Sequence, residues 1–198
     1  MKQRMKIILS ILASAMFTLF LYIVLHETGH MIVMLSAGAR ITEFSIFGAH
    51  VSSEGGNYTN LSDLWLHANG ALLPLFVSYA YLLFYQKDWK NPFYRFFSLF
   101  FSVIPASSMI AWVIIPFAYM IGNAPAGDDV TNFLFNFSQS CSPVFVSIVA
   151  LLLIGINIFL LLKKRVLQNC IESIKNMRQL LITGKDTSSG PKQSEESL

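Results

Sequence analysis

Charge is scarce in this chain. Only 13% of its 198 residues are Asp, Glu, Lys or Arg, about half of the ~25% found in an ordinary soluble domain. That shortage excludes a water-exposed globular surface over most of the length. Cysteine is scarcer still. Cys141 and Cys170 are the only two, and they flank the last long apolar run, so they are read as unpaired and fix no redox compartment. Net charge is only +3, too small an excess to indicate nucleic-acid binding. No internal repeat is present.

What the chain has instead is apolar length. Hydrophobic residues make up 54%, including 17 Phe, and mean hydropathy is +0.55. Four runs, roughly 7–37, 64–85, 93–121 and 144–162, each come to about the 20 residues that span a bilayer. The expected fold class is an all-α polytopic membrane protein with about four transmembrane helices, and residues 1–165 form a single membrane-embedded domain. The start resembles a signal peptide, with basic residues up to Lys6 and then Ala13-Ser14-Ala15. The apolar run, however, continues far past the 7–15 residues of a cleavable segment, so it is read as a retained helix. Lys2, Arg4 and Lys6 precede the first helix, Lys87, Lys90 and Arg95 flank the second turn, and Lys163, Lys164 and Arg165 follow the fourth. By the positive-inside rule this puts both termini in the cytoplasm, with the protein in a cell membrane.

Between the first two helices, "ARITEFSIFGAHVSSEGGNYTN" is not a span. Its partly alternating start predicts a short β-like or irregular loop, with Gly55-Gly56 at a turn. Residues 166–182 space Leu167, Cys170, Ile171 and Ile174 helically, with Lys175 and Arg178 between apolar positions. This is either a juxtamembrane amphipathic helix or an extension of helix four. Residues 183–198 are polar and read as a disordered cytoplasmic tail.

Inside the first apolar run lies His26-Glu27-Thr28-Gly29-His30. A charged group at mid-bilayer costs roughly 2.5–3.5 kcal/mol on insertion scales, so such groups are functional by default. On a helix, positions i and i+4 share one face, about 6 Å apart. Two imidazoles so placed can hold one tetrahedral metal ion, and Glu27, one position on, can take a proton from an attacking water. Zinc suits two nitrogens and a carboxylate with a fourth position open. One Zn2+ per chain would also offset the charges of Glu27 and a carboxylate ligand. The alternative is that both histidines are neutral, bonded to neighbouring helices, beside a protonated Glu27. Gly29 allows close helix approach, or leaves room beside a metal.

A third ligand must come from elsewhere. About 29 Å of helix separates Ile7 from His26 but about 9 Å separates His30 from Ser36, so the pair lies near the far end of helix one. Only the first and third loops share that side. Asp128 and Asp129, in "NAPAGDDVTNFLF", are the candidates. Asp129 is slightly preferred because it starts the apolar stretch, and the Gly- and Pro-containing break reads as irregular backbone lining a cavity. Ordinary solvated loop acids are the alternative reading.

With this motif on a membrane helix and a later aspartate before another helix, the chain resembles the site-2 protease family of intramembrane zinc metalloproteases. The resemblance covers roughly residues 10–140 and includes the glycine-bearing loop and the small-residue segment "HANGALLPL". It implies cleavage of a membrane-embedded segment of a substrate protein near one membrane face. It also implies zinc on His26, His30 and Asp128 or Asp129, with Glu27 as the catalytic base. The aspartates here stand in Gly127-Asp128-Asp129-Val130 rather than the family's usual Asn-Pro-Asp-Gly-like or Leu-Asp-Gly context. Asn69 is a candidate to hydrogen-bond substrate or a transition-state oxygen, against the commoner role of bonding a neighbouring helix. His67 and His50 are read as interfacial polar residues or extra ligands. The partners expected are a membrane-protein substrate and the lipid bilayer, with no nucleic acid. The rival functions are an inactive relative that binds or regulates membrane proteins, and an ion or metal transporter. The transporter fits poorly with helices three and four that are almost purely apolar.

Overall fold

The computed structural model describes residues 2–183. Within them the order is α1 (Lys2–Ser36), β1 (Ala39–Ser45), β2 (His50–Gly55), α2 (Asn60–Leu83), α3 (Pro92–Met120), α4 (Asp129–Phe137), α5 (Pro143–Lys163) and α6 (Val166–Thr183). The expected class holds: α1, α2, α3 and α5 are long and apolar enough to cross a membrane, as an integral membrane protein requires. The loop after α1 is a two-stranded antiparallel sheet. The expected tail at 183–198 lies, from residue 184 on, outside the described residues.

Local signals set the helix starts. Thr59 and Ser62 form a reciprocal capping box on α2, Asn91 caps α3 ahead of Pro92, and Pro143 opens α5. Each satisfies or removes an N–H that would otherwise be orphaned. Pro105 and Pro116 interrupt the bonding of α3. The bonds lost are those to the Phe101 and Trp112 carbonyls four residues earlier; beside them, the Ser102 carbonyl accepts from Asn157 Nδ2 of α5 at 3.2 Å and the Val113 carbonyl from Ser147 Oγ at 2.9 Å.

The main core gathers α2, α3, α4 and α5 around Leu75, Met109, Trp112, Val130 and Leu134. The helices also approach through small buried hydroxyls. Ser14, Thr18, Ser78, Ser98 and Ser102 are all fully buried, and each bonds a carbonyl of its own helix. Small side chains let backbones come close where no hydrophobic force separates helix from lipid.

Three expectations take a definite form. The glycine pair does mark a turn: Gly55 (φ 72°) and Gly56 (φ 89°) lead the chain out of β2, towards α2. The Gly- and Pro-containing break before Asp129 has no helix or strand, as expected, and the apolar stretch after it is the nine-residue helix α4. Finally, α6 is separate from α5, because Arg165 sits at φ 58° between them. It docks on α3. Arg95 of α3, its side chain 7% exposed, donates to the Asn169 carbonyl, Glu172 and Ser173 of α6.

Candidate metal centre

The α1–α2 crossing builds the site. Gly29 lies so close to α2 that a Cβ there would sit 2.2 Å from the Asn69 carbonyl oxygen. On the other helix, a Cβ at Gly70 would lie 2.4 Å from His30 Nε2 and 3.0 Å from His26 Cε1. Two glycines therefore let the backbones meet and leave a cradle for the imidazoles. Asn69 Nδ2 donates to the Gly29 carbonyl at 2.8 Å. The amide proposed for substrate contact thus ties the helices together, the commoner of the two roles expected for it.

The third element is α4. Asp128 is its N-cap, Oδ1 accepting from Val130 N at 2.8 Å. Capping turns the next residue, Asp129, into the first helical position and towards α1. Of the adjacent pair, Asp129 joins the histidines and Asp128 does not. Asp129 Oδ2 lies 3.4 Å from His26 Nε2 and 3.3 Å from His30 Nε2, and the two Nε2 atoms are 3.2 Å apart.

These edges can be tested against a metal. A regular tetrahedron has edges about 1.63 times its centre-to-vertex distance. Zinc bonds to nitrogen and oxygen of about 2.0–2.1 Å therefore give ligand separations of about 3.3–3.4 Å. The observed triangle matches one face of that tetrahedron, and the fourth vertex lies outside it.

The protonation pattern points the same way. His30 Nδ1 is 2.7 Å from the Leu66 carbonyl, which can only accept, so Nδ1 carries the proton. With the proton on Nδ1, the neutral ring has its Nε2 lone pair free for a cation, and without a cation a protonated Nε2 donates to the Asp129 carboxylate. His26 Nδ1 is buried with no hydrogen-bond partner among the described residues. Burial alone would disfavour the charged form of Asp129 and raise its pKa, but hydrogen bonding to the His26, His30 and His67 rings outweighs it and holds the carboxyl far below the usual range, so it is ionised. Two nitrogens and an anionic oxygen make a donor set that fits zinc.

Glu27 is the only acid in α1 and is 4% exposed. It lies near enough to His30 and Tyr22 to act on both electrostatically. Tyr22 packs its ring 5.8 Å from that of His26. His50 is outside the cluster, paired with Glu43 in the hairpin at 3.2 Å. His67 is adjacent to the cluster, its Nδ1 3.4 Å from Asp129 Oδ1. Tyr22, Gly70 and the Leu66 carbonyl were not found by sequence reasoning. The i, i+4 step from Tyr22 to His26 was the available signal for the first, and a backbone carbonyl leaves none.

Compared with family models, curated proteins and solved structures, the chain matches none of them.

Proposed function

We propose that this protein is an intramembrane zinc-dependent endopeptidase that hydrolyses a peptide bond in or near a transmembrane segment of another membrane protein, in the manner of the site-2 proteases it resembles. The observation that carries this reading is the convergence of His26, His30 and Asp129 from two helices into one tetrahedral face, with Glu27 beside it. Zinc held there would supply a Lewis acid that polarises the scissile carbonyl and acidifies water. Glu27 then takes the proton of the attacking water and delivers it to the leaving amine. His30 is held in the ligating tautomer by Leu66. Asp129 supplies the anionic ligand. Both chain termini are assigned to the cytoplasm from the basic residues flanking the spans.

A substrate helix must unwind before its amide carbonyls are accessible, because each is bonded within the helix. The β1–β2 hairpin begins three residues after α1 ends. A two-stranded sheet has open edges, so an unwound segment can add to it as a further strand.

The test compares membranes from cells making the wild-type protein with those making Glu27→Gln at equal level. The expected result is truncated membrane-protein fragments with wild type only, and the uncut precursor recovered bound to Glu27→Gln. Identical fragment profiles, with zinc bound in both, would contradict the protease reading and favour a binding role without catalysis.

A further inference from the structure

The two oxygens of Asp129 face different neighbours. Oδ2 faces His26 and His30. Oδ1 faces His67 Nδ1 at 3.4 Å. The opposite nitrogen of that ring, Nε2, is 3.9 Å from Asp63 Oδ1, one helical turn back along α2. The other Asp63 oxygen accepts a hydrogen bond from Asn136 Nδ2. Asn136 belongs to α4, as Asp129 does, seven positions or about two turns further on. The contacts therefore close a loop. They leave α4 at Asp129, cross to α2 at His67, run one turn to Asp63 and return to α4 at Asn136. Asp63 and His67 are partly buried, at 32% and 19% side-chain exposure, so these polar groups face one another rather than open solvent.

We propose that His67 is a positioning residue that engages Oδ1 of Asp129 and so leaves Oδ2 alone to the metal, with Asp63 and Asn136 fixing the His67 ring. A carboxylate with both oxygens free can bind a cation through both and fill the fourth position. One whose second oxygen is engaged binds through one and keeps that position open for water. Groups behind the ligands commonly set ligand orientation in this way. The inference rests on the metal-centre reading and deepens it. His67 is not itself a ligand, because its nitrogen meets the oxygen that points away from the histidine pair.

The test uses the purified full-length protein loaded with cobalt(II), whose visible absorption is intense when four-coordinate and weak at higher coordination. Zinc affinity is measured beside it by competition with a chelator. In His67→Asn the side-chain amide nitrogen can occupy the place of Nδ1. In His67→Gln it reaches towards the place of Nε2 instead. The expected result is that His67→Gln weakens the cobalt bands and lowers zinc affinity by about 10–100-fold, while His67→Asn keeps the spectrum and stays close to wild-type affinity. Equal behaviour of the two variants, whether both unchanged or both impaired, would overturn the proposal, since packing alone would not distinguish the two amides. If His67→Gln fails to fold, Asn136→Ala tests the far end of the loop. Lowered zinc affinity supports the proposal and wild-type affinity overturns it. A wild-type protein that binds neither metal defeats the metal centre and this inference together. A wild type that binds, with variants that do not differ, defeats this inference alone.

Discussion

Replacing Gly29 by alanine should damage the protein and its metal centre together. The added Cβ would lie 2.2 Å from the Asn69 oxygen, 2.7 Å from its carbonyl carbon and 3.0 Å from Gly70 N. All three are backbone atoms, so no side chain can swing away. Carbon-to-oxygen contacts settle at about 3.3–3.6 Å, so α1 and α2 must separate by about 1 Å. Overpacking of this kind costs about 1–3 kcal/mol. The Asn69 bond to the Gly29 carbonyl, 2.8 Å long, would stretch beyond hydrogen-bond range, and interhelical bonds in membranes average about 0.6 kcal/mol. Helix propensity returns up to about 1 kcal/mol. The net expectation is a loss of about 0.6–2.6 kcal/mol. The same separation would draw His30 Nδ1 away from the Leu66 carbonyl, now 2.7 Å distant, so zinc affinity should fall as well. Gly155→Ala is the control, because a Cβ there meets nothing within 4 Å. Denaturant titration in mixed micelles would compare the two variants. A Gly29→Ala midpoint matching that of Gly155→Ala, with a stability difference under about 0.5 kcal/mol, would refute the close-crossing account.

Arg95→Ala should release α6 and expose it to limited proteolysis while the spans stay intact. Glu172 is 59% exposed, so the ion pair itself adds about 0–1 kcal/mol. Most of the effect should come from the carbonyls of Trp89 and Asn169 and the Ser173 hydroxyl losing their donor; an unchanged digestion pattern would argue against it. The two cysteines should differ sharply in labelling. Cys141 is exposed. Cys170 is buried against Arg95, its thiol pushed up by desolvation to about 11, with the nearby Arg95 charge opposing. Raising a thiol from 9.0 to about 11 cuts its thiolate fraction at pH 8 by roughly a hundredfold, so maleimide in mild detergent should label one cysteine per chain. Replacing residues 41–47 by a Gly/Ser stretch should abolish cleavage of an identified substrate without removing zinc. Undiminished cleavage would sink strand addition.

The spans were legible because the bilayer imposes a length. Apolar runs at 7–37 and 93–121 end within a few residues of the helices they predict. The histidine pair was legible because i, i+4 geometry is local. Choosing between Asp128 and Asp129 was not, since it turns on which residue caps α4. The spacing of Val130, Phe133, Leu134 and Phe137 is helical, and taken as a helix it makes Asp128 the natural N-cap and Asp129 the ligand candidate. The Gly- and Pro-containing break before it blurs where that helix begins. Asn69 was readable as a polar amide in an apolar helix but not as to its partner, because the carbonyl it meets belongs to a glycine on another helix. His67 was readable with Asp63 as an i, i+4 pair, yet its bond to Asp129 spans 62 positions in sequence and only the packing of α4 on α2 supplies it.

The decisive measurement is zinc content, after metal reconstitution, of the detergent-purified wild type beside His30→Ala, Asp129→Asn and Asp128→Asn. The geometry predicts about one zinc per chain in the wild type and none above background in His30→Ala or Asp129→Asn. It predicts full retention in Asp128→Asn, since asparagine caps a helix as well as aspartate does. Wild-type zinc no higher than the His30→Ala background, or zinc lost in Asp128→Asn and kept in Asp129→Asn, would contradict the metal centre described above.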